Sequence, residues 1–319
     1  MNSTAIKERK ATGSHYTPTL LANFVASQIV GSWTRSSKRI RILDPAIGDG
    51  ELLLAIVAEL HKNNFYNFDV FGFDTNENAI DLAAFRIKQK FESVNLSLKC
   101  SNFLDFVLDN FWLGSNRDLF EQNTLEPFDL IISNPPYVRT QVMGAEKAQA
   151  LARQFSLSGR VDLYFAFIKG IAKVLRIGGI VGIIVSNRFM LTKSGAEIRQ
   201  SIQNEFEIIK IWDFGDTKLF EAAVLPAVLL LKRNNKNQNS IRTKFTTIYA
   251  VDHGTPIYKS KNVIDALRYD GIVKNADGRF FSVQHGYLDR GNRSNSVWRI
   301  STRNTDEWLN TVKKNTFCT

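Results

Sequence analysis

Three clusters of residues in this chain have the types and spacing to do chemistry. The densest is Ser133-Asn134-Pro135-Pro136-Tyr137, which offers an amide side chain, backbone carbonyls and an aromatic face together. That set suits a flat ring bearing an exocyclic amine, because an amide oxygen and a carbonyl can each accept an amine hydrogen while the aromatic ring stacks. A rigid strand-ending loop would carry the same residues, since Asn-Pro marks a turn and a second proline stiffens it. The second cluster is Asp44-Pro45-Ala46-Ile47-Gly48-Asp49-Gly50, whose paired glycines let a ligand lie close on the backbone. The glycines stand as G-x-G and leave the dinucleotide fingerprint G-x-G-x-x-G incomplete. The third is Asp74, 24 residues after Gly50. At about this separation nucleoside-binding α/β folds place an acid on the ribose hydroxyls; a helix-capping aspartate is the plainer alternative.

These residues need elements to hold them. Gly13 to Pro18 leads into a helix, with Thr17 as a good N-cap, Pro18 as a good first residue, and Leu21, Phe24, Val25 and Ile29 at helical spacing to about Val30. The free amides at that helix start suit an anion such as a carboxylate. Ile40 to Leu43 reads as a strand running into the glycine turn and then a helix from Glu51 to about His61. Phe68 to Asp74, Asn95 to Cys100, Phe128 to Ser133 and Ile180 to Val185 read as further strands. Helices are expected over Glu77 to about Phe91, from Asp162 to near Arg176, and over Ser194 to Phe206, with strands at Glu207 to Phe214 and Val224 to Lys232. Strands alternating with helices predict an α/β fold: a doubly wound, mostly parallel sheet of seven strands with both faces covered. Beyond Arg233 a polar stretch, Asn234 to Ser240, gives way to a basic segment carrying Phe280, Phe281, Tyr287, Trp298 and Trp308, with no periodicity long enough to assign.

Composition narrows the class. The 319 residues are 44% hydrophobic and 23% charged, as in an ordinary globular protein. Cys100 and Cys318 are far apart and the four histidines scattered, so neither a disulfide framework nor a metal site is expected, and a reducing cytoplasm is. The polar N-terminus lacks the apolar core of a signal peptide, and no apolar run is long enough to span a membrane. Of the net charge of +10, nearly all falls in residues 232–319, which hold 16 Lys/Arg against 7 Asp/Glu. A neutral body with a basic extension suggests a polyanion as partner, although a solvated basic surface would give the same count. Asp213-Phe214-Gly215 matches a kinase motif in letters alone, with no catalytic loop or glycine-rich loop beside it.

Assembled in order, Tyr16-Thr17-Pro18, Asp44-Pro45-Ala46-x-Gly48-x-Gly50 and Asn134-Pro135-Pro136-Tyr137 resemble the amino-group (N6-adenine) DNA methyltransferases of restriction-modification systems, in their gamma arrangement. The resemblance covers about Gly13 to Arg233. It implies a mobile arm at 1–15, a catalytic domain at 16–233 and a reduced or partial DNA-recognition region at 234–319. It implies S-adenosylmethionine as cofactor, with Thr17, Asp44, Ala46 and Gly48 at the methionine end, Asp74 on the ribose and Tyr16 among the other cofactor-binding residues. Asn102 and Phe103 would lie beside the cofactor adenine, where the family commonly has Asp-Phe. Asn134, Pro135, Pro136 and Tyr137 would form the catalytic motif, with Tyr137 and Phe220 packing a flipped target base. The implied partners are double-stranded DNA and a recognition or restriction subunit. Methyltransferases of RNA or of release-factor glutamine share Asn-Pro-Pro-Tyr and remain alternatives, as does a DNA-binding or assembly subunit with a methyltransferase scaffold.

Overall fold

A computed structural model describes residues 17–34, 39–112, 126–138, 144–157, 162–220, 225–234, 242–291, 293, 296–302 and 311. The arm expected at 1–15 and Tyr16 lie outside these. The chain alternates strands and helices, as its apolar runs require. Helix α1 (Thr19–Ser32) precedes β1 (Ile40–Asp44), α2 (Glu51–Lys62), β2 (Phe68–Asp74), α3 (Glu77–Lys90), β3 (Asn95–Cys100) and the short α4 (Phe103–Val107). Next come β4 (Phe128–Ser133), α5 (Ala145–Gln154), α6 (Leu163–Val174), β5 (Leu175–Ser186), α7 (Arg188–Leu191), α8 (Ala196–Glu205), β6 (Phe206–Asp213) and β7 (Pro226–Arg233). The basic segment then contributes β8 (Lys244–Val251), β9 (Tyr258–Ser260), α9 (Val263–Ala266), β10 (Gly271–Asn275), β11 (Phe280–Asp289) and β12 (Arg299–Ser301).

All twelve strands form one sheet in the order β3-β2-β1-β4-β5-β7-β6-β8-β11-β10-β9, with β12 beside β11. The α/β class holds, and the strand count exceeds the seven expected. The added strands join because β8 pairs in parallel with β6, Lys210 opposite Lys244 through Asp213 opposite Thr247, and β11 then pairs with β8. These strands are mostly short and only half-buried, so their sequence shows no sustained alternation to read.

The sheet has a core on each face. Leu130, Ile132, Ile180, Ile184, Val228 and Leu230 point to one face and pack with Val25 and Ile29 of α1 and Leu53 and Val57 of α2. Ile131, Val181, Ile183, Leu229 and Leu231 point to the other and pack with Phe103 of α4, Phe165 and Ile168 of α6 and Ile198 of α8. Every residue of β4 is buried, as expected of a central strand covered on both sides.

Two boundaries differ from the sequence expectation. Helix α1 starts at Thr19 with Pro18, not Thr17, at its N-cap, and the helix expected to run to near Arg176 ends at Val174, so that Gly178 and Gly179 lie inside β5, which starts at Leu175. A Cβ at Gly179 would come within 2.8 Å of the Asp129 carbonyl oxygen, and the β4–β5 register shifts between Phe128 and Leu130. The pair therefore marks an irregularity where two backbones approach closely.

Candidate active site

The carboxyl ends of β1, β2 and β4 carry the three clusters to one edge of the sheet, the edge where open α/β sheets bind ligands. At the end of β1 the chain turns sharply. Gly48 (φ 53°) and Gly50 (φ 83°) both sit in the left-handed region, which other residues enter at a cost. Gly50 caps α2 against Ala83, whose Cβ would lie 2.9 Å from an added Cβ. Gly48 faces open space, so the backbone there is accessible to a ligand.

Two aspartates hold this turn. Asp74 receives Gly48 N–H on Oδ2 at 3.0 Å and Asn76 N–H on Oδ1 at 2.9 Å. It thus ties the glycine turn to the end of β2, and Asn76, not Asp74, caps α3. Asp44 is wholly buried; its Oδ1 accepts Ala46 N–H at 3.0 Å, while Oδ2 has no partner among the described residues. Burial, reinforced by the negative charges of Asp74 and Asp49, pushes its carboxyl up to about 8 despite the Ala46 hydrogen bond. Beside it, Asp49 is raised by burial and restrained by Arg86, which reaches it at 2.8 Å.

The strand-ending motif is fixed from two directions. Asn134 Nδ2 donates to Thr17 Oγ1 at 3.0 Å, joining residues 117 apart in sequence. Tyr137 OH donates to Asn134 Oδ1 at 2.7 Å. Thr17 is buried just ahead of Pro18, whose carbonyl starts the hydrogen bonding of α1. Tyr137 is half-buried and meets Tyr164 edge-on at 6.4 Å between ring centroids. Burial raises both phenols far above their ordinary range, so both stay protonated donors. Pro135 is buried and Pro136 half-buried.

The other expected residues are placed differently from one another. Asn102 caps α4, its Oδ1 accepting Leu104 N–H at 2.9 Å. Phe103 is 1% exposed and packs between Phe73 and Phe167 in the core, behind Asn102. Phe220 is buried in the core cluster on the α1 side of the sheet. Tyr16 lies outside the described residues. Sequence reading missed a polar cluster on the same edge, where Asp213 accepts Asn187 Nδ2 at 2.9 Å, Gly215 N–H at 3.0 Å and Tyr249 OH at 2.6 Å. Its one signal was an acid at a strand end, in the Asp-Phe-Gly set aside above. Among the described residues no group of His, Cys, Asp or Glu is placed to hold a metal ion, and no helix is long and apolar enough to cross a membrane.

Comparison with known proteins agrees with this geometry. Residues 69–220 match the family model described as Eco57I restriction-modification methylase. Type II methyltransferase M.BanIII of Aneurinibacillus aneurinilyticus is 37% identical over 327 residues, covering 98% of this chain and 55% of its own. M.BstVI of Geobacillus stearothermophilus is 24% identical over 257 residues, covering 74% of this chain and 45% of its own. The chain thus spans about half the length of these relatives. Among solved structures, the type I restriction-modification methyltransferase subunit from Streptococcus thermophilus aligns with TM-score 0.52 at 16% identity, over 94% of this chain and 53% of that one. A candidate class I S-adenosylmethionine-dependent methyltransferase from Listeria monocytogenes aligns with TM-score 0.54 at 20% identity, over 72% of this chain and 65% of that one. These structures share the fold.

Proposed function

Because this chain is related along nearly its whole length to type II restriction-modification methyltransferases, we propose that it acts as a site-specific DNA methyltransferase. In this reading it moves a methyl group from S-adenosylmethionine to the N6 amine of an adenine turned out of the duplex, in the cytoplasm and within a restriction-modification system. Residues 16–233 carry catalysis and 234–319 contribute to DNA recognition, with a recognition or restriction subunit as a further partner. The observation that carries the reading is the 3.0 Å bond from Asn134 to Thr17, which brings the strand-ending motif against the start of α1, at the edge that also bears Asp44 and Asp74.

The residues fit the cofactor. The open backbone at Gly48 accommodates an extended ligand, and the unpartnered, buried Oδ2 of Asp44 suits a cationic donor such as an ammonium. Thr17, Asp44, Ala46 and Gly48 would hold the methionine end. Asp74 would accept ribose hydroxyls on the lone pairs its two backbone donors leave, and Asn102 would face the adenine, supported by Phe103 from the core. When bound, S-adenosylmethionine supplies an electrophilic methyl group on a positively charged sulfur.

The chain's own task is then to present a weak nucleophile. The lone pair of an adenine amine is delocalised into the ring. Asn134 Oδ1 and the Pro135 carbonyl would each accept one amine hydrogen, favouring a pyramidal nitrogen with its lone pair aimed at the methyl. In the proposed reaction Oδ1, which receives Tyr137 OH, would also receive the amine hydrogen. Tyr137 would pack the base, with stacking worth about 1–3 kcal/mol per base, and Phe220 would join it only by leaving the core cluster in which it is buried. No covalent enzyme intermediate is needed; positioning and oriented dipoles supply the rate.

The test is methyl incorporation from labelled S-adenosylmethionine into DNA, RNA and protein in parallel. Label should enter DNA at N6 of adenine, and Asn134→Ala should abolish it while cofactor binding survives. Label entering RNA or protein instead, or unaltered turnover by Asn134→Ala, would overturn the assignment.

A further inference from the structure

We infer that the cleft lined by Asn187, Asp213, Tyr249, Gln284, Trp298 and Arg299 is a DNA base-reading site, which contacts the duplex about four to seven base pairs from the base that Asn134 acts on. The inference rests on the proposed action on DNA and concerns a part of the molecule that the chemistry does not use.

Position comes first. Strand β4 runs parallel to β5, β5 and β6 both run antiparallel to β7, and β6 runs parallel to β8. Asn134, Asn187 and Asp213 therefore stand at the same edge of the sheet, each at or just past the carboxyl end of its strand. From β4 to β6 is three strand spacings, about 14 Å at about 4.8 Å each. A duplex lying along that edge advances roughly four base pairs from β4 to β6 and roughly seven to β11, five spacings from β4, at about 3.4 Å per pair. Exposed Arg188 stands between the two sites, near enough to Tyr164 for its charge to act on that phenol. A cation there suits a phosphate backbone passing from one to the other.

The cleft itself is built for a flat polar ring. Its volume is about 360 Å³, the small end of ligand pockets. Thr247 pairs with Gln284, and Tyr249 with Ser282, on one sheet face, and Trp298, just before β12, lines the cleft as well. The floor is rigid: Asp213 is saturated by Asn187, Gly215 and Tyr249, and Gly215 lies so close under Tyr249 that an added Cβ would meet its ring at 2.5 Å. Against this floor one exposed group is available for readout, and one buried donor is left without a partner among the described residues. Gln284 is exposed, and its amide offers one donor end and one acceptor end, the pair that matches the N6/N7 edge of adenine. Trp298 is 1% exposed, and its Nε1–H has no partner among the described residues, a costly arrangement for a buried donor. Arg299 is held by Asp289 at the rim, in a segment whose basic excess suits DNA.

Two measurements test the cleft. Duplex DNA of random sequence carrying 5-iododeoxyuridine should cross-link, on irradiation of its complex with the full chain, through peptides containing Tyr249 or Trp298. Modified-base sequencing of DNA from cells expressing the chain should show a methylated motif that Gln284→Ala relaxes at one position about seven base pairs from the target. The expected loss of discrimination there is on the order of tenfold. Trp298→Phe, which keeps a large aromatic ring and removes the N–H, should relax the same position. A variant that merely misfolds would lower the yield of methylation without changing the motif. Cross-links confined to other peptides, as follows if the cleft seats a protein, overturn the inference, and so does a motif unchanged by both variants. Absence of methylated DNA with the unaltered chain would overturn the proposed function instead, while cross-links through Tyr249 or Trp298 would still place DNA in the cleft.

Discussion

Asn134 holds its amide between two hydroxyls, and the two ends of an amide are alike in shape but opposite in hydrogen bonding. Thr17 accepts from the donor end and Tyr137 donates to the acceptor end, which in the proposed reaction would turn to the reacting amine. Thr17→Val keeps the shape and removes the hydroxyl, and should lower kcat about tenfold, the scale of one unsatisfied polar group. Cofactor affinity should fall less, and Thr17→Ser should restore turnover; a fall confined to cofactor affinity in calorimetry would remove the positioning role. Asp44 sets a pH dependence. Its carboxyl, raised to about 8 by burial, is largely neutral below that pH, and a cationic ligand group beside it favours the ionised form. Binding therefore releases a proton, so affinity for S-adenosylmethionine should rise with pH, by at most about tenfold per unit, and level off above about 8. Titration calorimetry in buffers of different ionisation enthalpy measures that proton, and Asp44→Asn should flatten the profile. Asp74→Ala should weaken cofactor binding both by losing ribose contacts and by freeing the Gly48 turn; unchanged affinity would remove its role.

At the scale of the element, α1 matters because it carries Thr17. It lies directly on β5, where a Cβ at Gly182 would meet Val25 at 2.7 Å and Ile29 at 2.8 Å. Gly182→Val should destabilise the chain by about 1–3 kcal/mol through overpacking, read as a shift in denaturant midpoint. It should also reduce methyl transfer in the fraction that remains folded, because α1 can relieve the clash only by carrying Thr17 away from Asn134. Near the cleft, fully buried Arg199 of α8 donates to the carbonyls of Phe189, Thr192 and Ser296 and so ties β12's approach to the turn after β5. Its guanidinium spends its donors on backbone acceptors, which makes it a structural brace between the two parts of the sheet.

Across the whole molecule, the basic segment continues the catalytic sheet. The parallel pairing of β6 with β8 means that residues at both ends of the edge share one support. We expect residues 17–302 to unfold in a single cooperative transition, with calorimetric and van't Hoff enthalpies equal. Two separate transitions would show that the segment after Arg233 is an independent unit. Cutting the chain after Arg233 should lower the melting temperature and promote association, because it bares the edge of β6 along with buried Ile211 and Trp212.

The sequence by itself determined the alternation of elements, the glycine turn, the acid at the end of β2 and the Asn-Pro-Pro-Tyr loop. Each is local: apolar runs of strand length, left-handed turn positions and proline-stiffened stops act within a few residues, so they are legible one segment at a time. The tertiary structure alone decided what those residues touch. It set Thr17 against Asn134 across 117 positions, left one oxygen of Asp44 buried and unpartnered, and drew Phe103 and Phe220 into the cores. It also added five strands whose pattern is too short and mixed to read, and with them joined Asp213 to Asn187 and Tyr249. Strand order and register are fixed by packing over the whole sheet, and no spacing along the chain encodes a contact between side chains that meet only when the sheet closes.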